Sequence, residues 1–203
     1  MLTKTYETKQ EWLADREGKI TGSTLKDIVT KRGTGRKIGF WQLVAARMAI
    51  PDDGVMSPME RGSAIESMAL DAFTVETGIE LNTDLVMWIS EDNPSMAISP
   101  DGFTEDLTVA VECKALSSAR HLEALVTQNI PDDYEFQVLQ YFIVNESLET
   151  LYFVFYDPRV VAKPLFYLEV NRSDLEDQIA QYTEYQVNLL LEIDEIIEKI
   201  EFN

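Results

Sequence analysis

The sequence contains very little cysteine and histidine, with one of each among 203 residues. A single cysteine excludes a disulfide framework within the chain and a metal site built from several thiolates. No run of about 18 apolar residues occurs, so we expect no membrane-spanning helix and no membrane partner. The first ten residues, MLTKTYETKQ, are polar and lack the apolar segment of a secretory signal. We therefore expect an intracellular protein.

Positive charge is also scarce: 17 Lys and Arg stand against 36 Asp and Glu, a formal net charge of −19. This balance opposes nucleic-acid binding, because phosphates repel an acidic surface. The distribution is uneven, however. Residues 1–50 hold 10 of the cations and 5 of the acids, a local charge of +5 that leaves −24 on residues 51–203.

The stretch KRGTGRK at 31–37 is rich in cations and contains two glycines, which allow the backbone to approach a phosphate. We predict that it contacts DNA. The alternative is a solvated loop between helices. The predicted DNA-binding residues are Lys31, Arg32, Arg36 and Lys37.

Periodicity predicts one α/β (or α+β) domain over residues 1–203, with a central mixed sheet flanked by helices. It divides into a basic helical segment at 1–50, a core at 57–170 and a closing amphipathic helix at 173–200. Ser173 and Glu176 predict a capping box at the start of that last helix. Strands are predicted at DLVMWIS, SMAIS, 107–115, 150–157 and 164–170, and further helices at 40–49, 57–78, 117–127 and 132–146.

The stretch SPDGFTEDLTVAVECKA at 99–115 places two charges on an apolar strand. Glu112 and Lys114 share one strand face because side chains alternate, and Asp101 lies eleven residues before the glutamate. Two convergent carboxylates are typical ligands of a hard cation such as Mg²⁺. The lysine can orient the attacking water or stabilise charge on phosphate oxygens. The alternative is an ion pair at a strand edge with an unrelated turn aspartate.

A third acid, Glu66, lies inside the long helix in RGSAIESMALDAF. We expect it to be half-buried and to need a partner, which a metal would supply. The alternative is a solvent-facing helix residue. Helical spacing predicts the apolar face of this helix at Met59, Ala64, Met68, Ala72 and Val75.

The order of these motifs resembles the phage-type alkaline exonucleases, the lambda exonuclease or YqaJ-like viral recombinase branch of the PD-(D/E)xK nuclease superfamily. RG-x-x-x-E at 61–66 is followed by SPDG at 99–102 and ECK at 112–114. Four more stretches fall in the family's order: W-x-x-x-R-x-x-x-I-T-x-S at 12–23, the basic loop at 31–37, Y-x-x-Q at 134–137 and YDPR at 156–159. The resemblance implies a restriction-endonuclease-like core.

The resemblance also implies roles for individual residues. The metal ligands it implies are Glu66, Asp101, Glu112 and the backbone carbonyl of Cys113. Lys114 would be the catalytic lysine, and Gln137 would help to hold the active site, with Gln140 as the alternative for that role. The implied pocket for the DNA 5′-phosphate consists of Arg16, Ser23, Ser99 and Arg120. Two guanidinium groups and two hydroxyls suit a terminal phosphate chemically.

The activity implied by the resemblance is 5′→3′ exonuclease action on linear duplex DNA with 5′-phosphorylated ends. It would use Mg²⁺, two ions per site, with Mn²⁺ as a substitute, and it would leave a 3′ strand for recombination by annealing. The implied partners are double-stranded DNA ends, a single-strand annealing protein and further copies in a homotrimeric ring. The implied location is the cytoplasm of a bacterial host, with a phage or prophage gene.

Two other readings of the whole chain remain open at this point. One is an endonuclease or repair nuclease that uses the same metal site without recognising ends. The other is a non-enzymatic acidic protein, such as a DNA mimic. The iron–sulfur nucleases of the superfamily are disfavoured because the chain has one cysteine.

Several residues invite a role that we do not assign. We expect His121 on a helix surface or beside DNA, since the metal and Lys114 already cover the work of a base. We expect the Cys113 side chain to be a small core residue. Four residues of the last helix are expected in the core or in a subunit interface: Tyr182, Tyr185, Leu189 and Ile193.

Overall fold

The computed structural model describes residues 8, 10–11, 37–47 and 58–201. The first short stretch begins a helix with a capping box, because Thr8 Oγ1 accepts from the Glu11 amide and Glu11 Oε2 accepts from the Thr8 amide. The helices that follow are α1 (Ile38–Arg47), α2 (Pro58–Thr77), α3 (Ser118–Thr127), α4 (Glu135–Val144) and α5 (Glu176–Glu201). The strands are β1 (Trp88–Ile89), β2 (Ala97–Ile98), β3 (Gly102–Phe103), β4 (Val109–Lys114), β5 (Thr150–Tyr156) and β6 (Leu165–Asn171).

A mixed four-stranded sheet in the order β3-β4-β5-β6 forms the centre. β4 runs parallel to β5, and the outer pairs are antiparallel. The parallel pair requires a crossover, which α3 and α4 supply. β4 is therefore an interior strand. It is shorter than the predicted 107–115, because Leu107 adopts a positive φ of 62° in the turn that precedes it.

Helices cover both faces of this sheet, as a sheet of apolar strands requires. On one face, Phe153 and Phe155 of β5 pack with Tyr141 and Phe142 of α4. On the other, Val111 and Val154 pack against α2. These two faces confirm the predicted α/β class with a mixed sheet between helices.

The predicted apolar face of α2 is only partly correct. Among the side chains described for this helix, Ala69, Leu70 and Phe73 are buried and the predicted Ala72 packs partly buried beside them, whereas Met68 and Val75 are exposed. The predicted Met59 and Ala64 lie outside the described side chains. The aromatic ring decides the phase, because Phe73 packs against Tyr152 and Tyr167 on the sheet. α2 ends as predicted at Gly78, whose φ of +74° favours glycine.

The outer helices pack on this core. α1 contacts α3 through Trp41 and Ala45, which lie against Ala119 and Leu122. α5 packs on α4, and it begins at Glu176 after a 3-10 turn (Arg172–Asp174). Ser173 therefore lies inside that turn and not at an N-cap, so the predicted capping box is wrong. Along the described ranges, no helix combines the length and apolarity that a bilayer span needs.

Candidate active site

The charged pair of β4 lies on the strand face that α4 covers. Glu112 is 3% exposed, and its Oε1 is 2.5 Å from Nζ of Lys114. A buried carboxylate needs such a partner, because removal from water disfavours its charge. Glu112 is thus not the strand-edge residue of the alternative interpretation.

Asp101 reaches the same strand from the residue that precedes β3. Its Oδ2 accepts a hydrogen bond of 2.7 Å from the amide of Cys113, and its own amide donates to Val111 O. The pairing of β3 with β4 brings Asp101 to this position. β3 is a strand that the sequence did not predict. The aspartate is therefore structurally tied to the Glu-x-Lys segment.

The pKa of Asp101 is raised by burial and by nearby negative charge. Burial, followed by the charge of Glu112, raises the pKa of Asp101 from 3.8 to about 7, although the Cys113 amide lowers it and Glu66 adds a smaller rise. A divalent cation at this point would offset the negative charge that opposes the ionisation of Asp101.

Glu66 lies on the site side of α2, one turn before Ala69 and Leu70, because residues three and four apart share a helix face. It is exposed, so the expectation that it is half-buried is wrong. Ser67 and Met68 beside it are exposed as well, and burial of the helix increases at Ala69 and Leu70. The charge of Glu66 still raises the pKa of Asp101 and, to a lesser degree than burial, that of the Cys113 thiol.

The donor set at this point suits a hard cation. In the part of the chain that the structure describes, no group of three His, Cys, Asp or Glu side chains forms a complete metal cage. Mg²⁺ does not need one, since it is usually held by one or two carboxylates together with waters and substrate phosphates. Asp101 and Glu112 are such a pair, close enough for the charge of Glu112 to raise the pKa of Asp101.

A polar stripe runs to this site along α4 and the 3-10 turn (Asp132–Tyr134) that precedes it. The hydroxyl of Tyr141 donates to Glu112 Oε2 at 2.5 Å and lies 3.3 Å from Ser99 O. Tyr134, seven residues earlier, has Nζ of Lys114 5.0 Å from its ring centroid. Gln137 falls between them at helical spacing, three residues after Tyr134 and four before Tyr141.

The two candidate glutamines lie three residues apart on α4, a spacing that places them on neighbouring positions of one helix face. Gln140 donates to Ala97 O at 3.4 Å, toward the β1–β2 hairpin. Gln137 shares the stripe with the two tyrosines that contact Lys114 and Glu112.

Two of the four predicted phosphate-binding residues lie in the described chain. Ser99 is exposed, two residues before Asp101, and its carbonyl contacts Tyr141. Arg120 of α3 pairs with Asp133 at 2.8 Å, and this hydrogen bond is the main cause that raises the pKa of the guanidinium. Arg16 and Ser23 lie outside the described residues, as do Lys31, Arg32 and Arg36. Lys37 is exposed immediately before α1.

With this geometry in view, comparison with known families decides the assignment. Residues 11–147 match the YqaJ-like viral recombinase domain, which is well over half of the chain. The chain belongs to this family. No curated protein matches it.

Solved structures show the fold of this family member. The chain is similar to the alkaline exonuclease LHK-Exo from Laribacter hongkongensis, with 24% identity, a TM-score of 0.60 and coverage of 94% of this chain and 97% of the other. A structure of LHK-Exo in complex with dAMP gives the same values. A phage-related exonuclease from Haemophilus somnus is 13% identical, with a TM-score of 0.43 over 89% and 99% of the two chains, too low to bear on the fold.

Family and fold together place the chain among the YqaJ-like viral recombinases, with a fold that it shares with the alkaline exonuclease LHK-Exo. They confirm the resemblance inferred from RG-x-x-x-E, SPDG and ECK. The site that these motifs form lies where β3 meets β4, beneath the polar stripe of α4.

His121, the chain's one histidine, does not lie on a surface as predicted. It is completely buried. Its Nε2 lies 3.1 Å from Lys163 O, and burial lowers its pKa. α3 turns this face inward, against the loop after β5, which leaves Arg120 on the outside.

Two further residues, Tyr141 and Asp157, have partners that the sequence did not predict. The spacing of Tyr134, Gln137 and Tyr141 is a helical signal that could have revealed the first. Asp157, in the YDPR motif, is fully buried and accepts from Ser118 Oγ at 2.6 Å and from Arg159. Nothing in the local pattern pairs it with a serine 39 residues away.

Proposed function

We propose that the chain is a Mg²⁺-dependent 5′→3′ exonuclease that degrades one strand of linear duplex DNA from 5′-phosphorylated ends. The observation that carries the proposal is the meeting of Asp101, Glu112 and Lys114 around residues 111–114 of β4. LHK-Exo has been crystallised in complex with dAMP. A deoxynucleoside monophosphate is the product proposed for this chain.

Asp101 and Glu112 would hold the cation, assisted by Glu66 and the Cys113 carbonyl. A bound Mg²⁺ supplies a water of lowered pKa and neutralises charge on the scissile phosphate; we propose two ions per site, with Mn²⁺ as a substitute. Lys114 carries a positive charge within reach of the same carboxylate, where it can orient a water or stabilise phosphate oxygens. Gln137 supports this arrangement from α4.

End recognition would rest on a clamp for the 5′-phosphate. Ser99 supports this assignment, since it lies two residues from Asp101 and its carbonyl contacts Tyr141. Arg120 must exchange its partner Asp133 for phosphate, which is feasible because both side chains are exposed and such pairs contribute about 1 kcal/mol or less. Arg16 and Ser23 would complete the clamp, and the 31–37 stretch would hold the duplex.

The proposed biological setting follows from the same family. The product would be a 3′ single strand that an annealing protein receives in the cytoplasm of a bacterial host during phage recombination. Three copies would form a ring around the duplex. The basic residues 1–50 would face the channel and the acidic remainder would face outward.

The proposal is tested by digestion of duplex DNA with 5′-phosphoryl ends, 5′-hydroxyl ends or no ends. We expect release of mononucleotides from phosphorylated linear DNA in Mg²⁺, little from hydroxyl ends, and none from circles or in EDTA. Lys114→Ala should lose at least about 100-fold in rate. Lys163→Ala is the matched control, because its ammonium makes only an exposed contact with Glu76 at 3.7 Å.

Each contrary result has a specific meaning. Cleavage of circular DNA would favour an endonuclease without end recognition. Equal cleavage rates on 5′-phosphoryl and 5′-hydroxyl ends would contradict the proposed 5′-phosphate clamp. Absence of cleavage under all conditions would reject nuclease activity and leave an acidic binding protein.

A further inference from the structure

The carboxylate of Glu112 is held at both oxygens by two donors of different kinds. Lys114 Nζ donates to Oε1 and Tyr141 Oη donates to Oε2, each at 2.5 Å. Within the described chain these are the hydrogen-bond donors to this carboxylate. An ionised carboxylate has about four lone-pair positions, so each oxygen can still accept another partner.

The two donors differ in how firmly they are fixed. Lys114 has a flexible four-carbon side chain that is 22% exposed, whereas Tyr141 is completely buried in the core beside Trp88. A phenol on a packed ring has few alternative rotamers. Tyr141 is therefore the more firmly fixed of the two donors to Glu112.

The same hydroxyl also lies near the chain segment that carries Asp101. It is 3.3 Å from Ser99 O, two residues before the aspartate. One hydroxyl proton serves one acceptor at a time, and the shorter contact is the one to Glu112. The tyrosine thus stands between the two segments that supply the proposed ligands.

We propose that Tyr141 is a positioning residue that orients Glu112 for the cation. This inference rests on the proposed function. Tyr141 touches neither substrate nor reacting atoms in this proposal; it acts through the Glu112 carboxylate. Partners that orient metal-ligating carboxylates typically change metal affinity by about 10- to 100-fold when removed.

The test compares Tyr141→Phe with a matched control. Tyr152→Phe removes another tyrosine–glutamate hydrogen bond, from Tyr152 Oη to Glu169 Oε2 at 3.1 Å, on the sheet face that packs against α2. Mn²⁺ binding without DNA is measured by calorimetry on the folded full-length chain. We expect about 10-fold weaker binding for Tyr141→Phe and no change for Tyr152→Phe.

Activity gives a second readout that a purely structural role would not move. The Mg²⁺ concentration for half-maximal cleavage should rise about 10-fold in Tyr141→Phe, while the rate at saturating Mg²⁺ falls by less than about 3-fold. In a Glu112→Gln background, Tyr141→Phe should add no further change in Mn²⁺ affinity, because the positioned group is already altered.

Unchanged metal affinity in a folded Tyr141→Phe chain would overturn the role of Tyr141 while leaving the nuclease intact. Wild-type chain that binds Mn²⁺ but cleaves no DNA would reject the nuclease and still test Tyr141 by affinity. If Tyr141→Phe does not fold, the test uses tyrosine absorption in the near ultraviolet. We then expect Mn²⁺ to change the absorption of the wild-type chain more than the absorption of the Glu112→Gln chain. Equal spectra would overturn the proposal.

Discussion

Asp101 retains its proton up to about pH 7, because burial and then the charge of Glu112 oppose its ionisation. In the unfolded chain this carboxyl should titrate near its ordinary pKa of 3.8. Between these values the folded chain binds the proton more tightly than the unfolded chain. The stability of the metal-free protein therefore falls as the pH rises from about 4 to about 7, and it stays low above that.

Asp101→Asn should accordingly stabilise the metal-free chain at pH 8 while it abolishes cleavage. A pKa rise of about 3 corresponds to roughly 4 kcal/mol; partial exposure and shared charge reduce the expected gain to about 2 kcal/mol. The gain should be small near pH 4, where the folded chain holds the proton and the unfolded carboxyl is only about half ionised. Urea unfolding in EDTA at both pH values measures it.

The control is Glu105→Gln on the exposed turn between β3 and β4, which should leave stability unchanged at both pH values. A loss of stability in Asp101→Asn at pH 8 would contradict the proposed crowding of charge. Mn²⁺ should stabilise the wild-type chain and not the variant, since ligands that bind only the folded state add to its stability.

Two sets of hydrogen bonds fix the positions of the crossover helices α3 and α4. At the start of α3, Ser118 donates to Asp157 Oδ2 and Arg159 donates to Asp157 Oδ1. Burial alone would raise the pKa of Asp157, but the hydrogen bonds from Arg159 and Ser118 outweigh it and hold the pKa below its usual value. This buried group joins α3, which carries Arg120, to the end of β5.

Asp157→Ala should cost about 3–5 kcal/mol, because it leaves buried donors without their ion partner. Ser118→Ala removes one hydrogen bond and should cost about 1–2 kcal/mol. Chemical unfolding at neutral pH measures both. Equal losses in the free energy of unfolding for the two variants would show that the contact of Arg159 with Asp157 does not stabilise the fold.

The second set of hydrogen bonds lies at the C-terminal end of α4. Arg172 donates through Nε to Leu148 O at 2.7 Å and through Nη2 to Phe142 O and Asn145 O at 2.7 and 2.6 Å. The last carbonyls of a helix have no partner within it. A planar guanidinium can serve several of them at once, and the ammonium of a lysine reaches fewer.

Arg172→Ala should therefore destabilise the fold by about 3 kcal/mol, and Arg172→Lys should recover only part of the loss. Cleavage per folded molecule should stay within about 2-fold of wild type, because Arg172 contacts none of the proposed ligands. Thermal unfolding and the linear-DNA assay measure the two effects. A large loss of activity with unchanged stability would contradict this structural role.

For the whole molecule, the charge distribution bears on the proposed ring. A chain with a net charge of −19 binds DNA only if its cations are gathered on one surface.

Residues of α4 and α5 also expose apolar side chains that fit a subunit contact, since Phe136, Tyr185 and Leu191 are each more than half exposed.

Light scattering should give a mass of three times 23.1 kDa. Tyr185→Glu with Leu191→Glu places charge on the exposed apolar surface of α5 and should lower the mass without lowering the melting temperature. Glu184→Gln, on the same helix, is the control. A monomeric mass together with full activity in the wild-type chain would reject the ring.

Local pattern predicted much of this protein. Alternation correctly placed Glu112 and Lys114 on one face of β4, and the apolar runs correctly gave β5 and β6, because these features depend on side-chain period alone. The order of motifs also indicated the family. Such information is carried by near neighbours in the chain.

Tertiary structure decided what depends on distant partners. Short β3 exists only because β4 pairs with it, and this pairing brings Asp101 to Cys113. The phase of α2 followed Phe73, since a large ring packs best on the sheet. His121 and Asp157 are buried through contacts with residues about 40 positions away. Tyr141 meets Glu112 across 29 residues, a contact that only packing of α4 on the sheet creates.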